Sequence, residues 1–170
     1  DVDSVLEALL DDVIELTGNH NNDFGRKHNT RTLRLLRENG MAYYGGGASR
    51  AEAESVLYLT AGGQRIAFIG FNEVGPPEAW ATDTEAGAAR LSKPLLEEKL
   101  REATAGAPIV FAMVQCTNEN EPVPWPSQVR LFHRAVDLGA TITGSSSAHR
   151  AMGLEFYRGR LIIYGLGNFL

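Results

Sequence analysis

The chain has 170 residues, 44% of them hydrophobic, and a formal net charge of -5. That length falls in the range of about 100 to 200 residues typical of one domain, so a single globular unit over residues 1–170 is expected. The acidic balance, with arginines scattered along the sequence, argues against a nucleic-acid partner. No apolar run approaches the roughly 18 residues needed to span a bilayer, so no membrane contact is expected of this segment itself. The lone cysteine, Cys116, offers neither an internal disulfide nor a CxxC metal pair. The chain opens on Asp1 and stops just after a strand-like run, which reads as a segment of a longer protein.

In chain order, residues 2–10 place Val5, Leu6, Leu9 and Leu10 on one helical face, and residues 13–16 read as a first buried strand. A polar loop follows. Asn29 or Thr30 is then placed to cap a helix with Leu33 and Leu36 inward, stopped by Gly40. Residues 41–44 read as a short strand, the glycines at 45–47 as a tight turn, and residues 49–54 as a short helix. Residues 56–60 and 64–71 flank Ala61, Gly62 and Gly63, a pattern that predicts a β-hairpin and so a mixed sheet. Residues 72–92 form a long polar loop holding Trp80, either a lid aromatic or a plug over the core, with the burial habits of tryptophan favouring the plug.

Ser92 caps a helix running to about residue 102, and residues 109–114 form the next buried strand. A second polar loop, QCTNENEPVP, covers residues 115–124, and Pro126 opens a helix that ends near Gly139. Residues 140–143 read as a strand, GSSSAHR at 144–150 as a third polar loop, and residues 153–157 and 160–164 as a second hairpin.

Chemistry concentrates where strands run out into loops. LTGNHNNDFG at residues 16–25 offers Asn19, His20, Asn21, Asn22 and Asp23. These side chains can hold a metal, move a proton or bind a polar substrate, although Asn, Asp and Gly also make ordinary turns. The pattern recurs with Gln115 and Glu119, and again with His149. Adjacent strands would bring the three loops to one edge of the sheet, where α/β folds bind ligands. His28 and His133 sit within helix-like stretches and read as surface or half-buried residues, and Glu121 as a solvated loop charge. Asn168 either closes a turn or points into the site. Ser145, Ser146 and Ser147 with His149 lack a GxSxG elbow and a visible third group, which argues against a serine hydrolase.

These segments resemble, in order and spacing over nearly the whole chain, the bacterial capsule and poly-γ-glutamate synthesis proteins of the CapA type. Residues 18–25 resemble that family's NNHxxDxG motif, 43–47 its YxGxG segment and 63–70 its GxxIAFIG strand. Residues 115–120 correspond to HWGxEY, 137–141 to DAGAD, 145–149 to GHHPH and 164–169 to YSLGNF. The resemblance implies an α/β fold, a mixed β-sheet sandwich flanked by helices of the calcineurin-like metallophosphatase type, lacking its N-terminal strand. It implies one or two divalent metal ions held by Asn19, Gln115 and His149, with His20 as the proton donor and Asp23, Glu119 and Asn168 near the substrate.

The activity implied is metal-dependent hydrolysis of a phosphoester or amide-linked cell-surface polymer, in the cell envelope, with that anionic polymer or its precursor as partner. Two departures weaken the ligand set. Gln115 and Ser147 stand where the family has histidine, and the family's metal-binding Asp on its first strand and later Asn-Glu segment have no counterpart. A non-catalytic binding or scaffold module of the same fold is therefore the alternative.

Overall fold

The computed structural model describes residues 13–116 and 121–168. The helix expected over 2–10 and the Glu119 site lie outside them. Of the helices α1 (Arg26–Glu38), α2 (Arg50–Ala53), α3 (Lys93–Gly106) and α4 (Pro126–Asp137), the last two pack on a mixed sheet, giving an α/β architecture.

Six strands make that sheet: β4 (Leu57–Ala61), β5 (Gln64–Asn72), β7 (Ile109–Gln115), β8 (Ile142–Ser145), β9 (Leu154–Tyr157) and β10 (Arg160–Ile163). Their order is β4-β5-β7-β8-β10-β9. The four inner strands are mutually parallel, and each edge is an antiparallel hairpin. Both hairpins turn through two residues of positive φ, Gly62 and Gly63 in one, Arg158 and Gly159 in the other. Those dihedrals match the twist of the flanking strands.

Two smaller sheets complete the fold. β1 (Val13–Glu15) pairs in parallel with β2 (Ala42–Tyr44), and β3 (Gly46–Gly47) pairs antiparallel with β6 (Gly87–Ala88). The expected turn at residues 45–47 is thus a turn only at Gly45, φ 74°, and a strand at the next two glycines. Both are buried, and a Cβ at Gly46 or Gly47 would lie 2.7 or 2.6 Å from its neighbours, so the backbone pairs where no side chain fits.

Period-2 alternation sends Ala67, Ile69 and Phe71 of β5, with Val110, Ala112 and Val114 of β7, to one face of the large sheet. There they meet Leu96, Leu100 and Ala103 of α3 and Phe132, Ala135 and Val136 of α4. The opposite face carries Phe68, stacked on Phe111 at 5.0 Å and met by Tyr44 of β2 at 5.5 Å. Two boundaries differ from expectation. Helix α1 begins at Arg26 because Gly25, at φ 87°, reverses the chain there, so Asn29 lies inside the first turn. Strand β8 ends at Ser145, later than the run 140–143 indicates, because Ile142 to Ser145 take their register from β7.

Candidate functional site

The parallel strands β5, β7, β8 and β10 point the same way, so the segments leaving them gather at one edge. The loop after β1 meets them there. Gln115, last residue of β7, donates from Nε2 to Asn19 Oδ1 at 3.0 Å, a contact across 96 positions of sequence. Ser146, just past β8, lies 3.4 Å from Gln115 Oε1 and donates to Glu15 Oε1 at 2.7 Å. The Thr17 hydroxyl donates to the same carboxylate oxygen. Glu15 therefore sits at the junction of the first and third loops, and burial pushes its carboxyl upward against the two hydroxyls that favour its charge.

Beneath this surface the polar groups are satisfied. Asn72, fully buried at the end of β5, donates to the Thr17 carbonyl at 2.7 Å and accepts from Gly75 N and Trp80 Nε1, each at 2.8 Å. Trp80 is half-buried and has Arg90 stacked on it at 4.1 Å, which places it as a plug beside the site. Ser147 accepts from Cys116 N at 3.1 Å and donates to Cys116 O at 2.7 Å, tying the third loop to the end of β7. Burial pushes the Cys116 thiol up to about 12, so it is an inert core group. Asn21 donates to Leu16 O, and Asn22 to the carbonyls of Glu78 and Ala86, so these two amides hold the first loop.

The histidines stand further out. His20 is exposed and pairs through Nδ1 with Asp23 Oδ2 at 2.8 Å. His149 pairs through Nδ1 with Asn168 Oδ1 at 3.0 Å, linking the loop after β8 to the segment after β10. Each Nδ1–H donates to an oxygen, which fixes the tautomer and leaves Nε2 as the outward nitrogen. Of the expected site residues, Asn19 and Gln115 touch directly. His20 with Asp23 and His149 with Asn168 form two separate pairs on the loops that flank that contact. His28 is exposed, and His133 lies on α4, bonded to Glu155 and stacked on Tyr157 at 3.9 Å.

Among the described residues no group of three or more His, Cys, Asp or Glu is arranged to hold a metal. The Asn19 amide oxygen is occupied by Gln115, and Gln115 Oε1 faces Ser146. An imidazole at position 115 would offer a metal one ring nitrogen, whereas the amide here is turned toward another amide. The described residues by themselves therefore do not fit a resident metal, whose sites normally draw on three or more protein ligands. What the arrangement offers is a polar floor of amides and hydroxyls with two exposed imidazoles beside it.

Four residues of that floor escape a reading of motifs: Glu15, Thr17, Asn72 and Ser146. The available signal is positional, since each ends a buried strand or follows one within two residues.

The large mixed sheet, its helical cover and the polar site at the carboxyl edge define an α/β domain with its candidate site where the parallel strands end. The sequence profile of the bacterial capsule synthesis protein PGA_cap matches residues 2–170, and the chain belongs to that family. It is 27% identical over 162 residues to the capsule biosynthesis protein CapA of Bacillus anthracis, covering 93% of this chain and 39% of that protein. It is 27% identical over 167 residues to the PGA biosynthesis protein CapA of Bacillus subtilis, covering 98% of this chain and 44% of that one. The chain thus spans less than half the length of these relatives. A hypothetical protein from Thermus thermophilus superposes with a TM-score of 0.49 at 18% identity, over 81% of this chain and 57% of its own.

Proposed function

We propose that this domain handles an anionic cell-surface polymer of the poly-γ-glutamate type during its assembly, and that the carboxyl-edge site holds the polymer. The Asn19–Gln115 contact carries the reading, because it joins the loops after β1 and β7 into one polar floor. The amide N–H groups of Asn19 and Gln115 there can donate to carboxylates, and the exposed imidazoles of His20 and His149 stand beside them as further polar partners. Family membership and the capsule and PGA names of the relatives support the polymer class.

A metal-dependent hydrolase is the second reading, favoured by the His20–Asp23 pair. A carboxylate on Nδ1 orients the ring with Nε2 outward, the placement a general acid needs. In that form Asn19, Gln115 and His149 would hold divalent metal only together with ligands from outside the described residues, and Asp23, Glu119 and Asn168 would bind the substrate.

Incubating full-length protein with poly-γ-glutamate, with and without divalent metal, separates the two. The holding role predicts binding that persists in chelator with polymer length unchanged. Metal-dependent shortening of the polymer, abolished in His20→Ala and His149→Ala, establishes the hydrolase instead. Absence of both binding and cleavage overturns both readings.

A further inference from the structure

Away from the carboxyl edge, charge concentrates on helix α1. Its 13 residues hold five cations, Arg26, Lys27, Arg31, Arg34 and Arg37, and one anion, Glu38. The chain as a whole carries -5, so with +4 on this helix the remainder carries -9. The arginines that look scattered in sequence are gathered by the fold.

Two of the five cations are tied internally. Arg26 donates to the carbonyls of Trp80 and Ala86 at 3.1 and 2.6 Å, and Arg37 donates to Glu52 at 2.5 Å. Arg34 makes only an exposed contact with Glu38 at 3.7 Å. Lys27 and Arg31 are exposed and have no ion pair among the described residues.

The helix turns its buried residues, Asn29 and Leu33, toward the body of the protein. At 3.6 residues per turn, Lys27, Arg31 and Arg34 fall on the opposite face, spread over about 10 Å of axis. With His28, Thr30 and Arg37 they line a shallow open groove. Like charges three and four residues apart repel along a helix, and a polyanion laid over them turns that repulsion into attraction. The stripe also starts one turn from the loop that carries Asn19 and His20.

We propose that the exposed face of α1 is a binding track for a single extended chain of carboxylates, seated on Lys27, Arg31 and Arg34 and leading to the carboxyl-edge site. The charge on the helix stands by itself; the identity of the polymer rests on the function proposed above. A thin flexible chain fits because the stripe is narrow, three cations in line over about 10 Å of axis.

The test is the affinity of the full-length protein for poly-γ-glutamate at low and high salt. Its arms are the double variant Arg31→Glu with Arg34→Glu, a milder Lys27→Gln with Arg31→Gln, and a control Arg160→Glu at the exposed start of β10, with circular dichroism to check folding. Each bound cation adds to the salt dependence. The charge reversal is expected to weaken binding by about tenfold or more and to flatten its salt dependence. The milder variant should fall between parent and reversal, and the control within about twofold of the parent.

Equal affinity in parent and charge-reversed protein overturns the track while leaving the proposed function standing. Tighter binding of inorganic polyphosphate than of poly-γ-glutamate overturns the carboxylate assignment. No polymer binding by the parent removes the track and the proposed function together.

Discussion

Glu15 ends β1 with its carboxylate turned toward Ser146 and Thr17, and its burial leaves the charged form at a disadvantage. Because its folded pKa lies above the ordinary value of 4.5, the unfolded chain releases this proton first as pH rises. The penalty is therefore absent below that value, grows between the unfolded and folded values, and is constant above both. Glu15→Gln cannot ionise, so it should melt higher than the parent at neutral pH, with the difference vanishing near pH 4. Thermal melts at the two pH values check this, and a difference independent of pH would refute it. Asn72 shows the opposite case, a buried polar side chain whose partners are complete. Asn72→Ala strands the Gly75 amide, the Trp80 indole and the Thr17 carbonyl, and is expected to cost about 3 kcal/mol. Denaturant titration measures the loss, and a cost under about 1 kcal/mol would mean that water replaces the amide.

Among the elements, the β1–β2 layer reaches the large sheet through bare backbone. A Cβ on Gly70 of β5 would lie 2.7 Å from Thr17 Cγ2 and 3.1 Å from the Tyr44 ring. Gly70→Ala must therefore push β1 and β2 away from the sheet, and is expected to destabilise by roughly 2 kcal/mol, within the usual range for overpacking. Chemical unfolding of the variant checks the figure, and parental stability would show that the layer yields freely. Much of this layering is legible in the sequence. The apolar runs at β5 and β7 and the glycine-marked hairpins announce themselves through period and turn chemistry. The strand pair β3–β6 does not, because its members are two residues each and glycine reads as turn wherever local propensity is the only guide. Helix α1 starts early for a similar reason, since Asn29 has the composition of a cap and a different job, donating to Asn22.

For the molecule as a whole, the strand-to-loop alternation foretells that several loops meet at one edge, and Asn19 and Gln115 do meet there. What stays hidden is which polar side chains face each other, because a hydrogen bond across 96 positions leaves no periodic trace. Glu15 and Ser146 are ordinary letters until β1 lies beside the end of β8. The basic stripe on α1 is hidden by its spacing, since cations three and four apart look dispersed along the chain and align only on a helix. The proposed function draws on this assembly, with the cations of α1 and the amides and two imidazoles of the carboxyl edge as its parts. The most direct measurement is a histidine-detected NMR titration of the full-length protein with poly-γ-glutamate. The His20 and His149 ring signals are predicted to shift together and saturate at one polymer concentration, while His133 of α4, bonded to Glu155 of β9, stays in place. Motionless His20 and His149 signals, or shifts that saturate at different concentrations, would contradict a single polymer-holding site at the carboxyl edge.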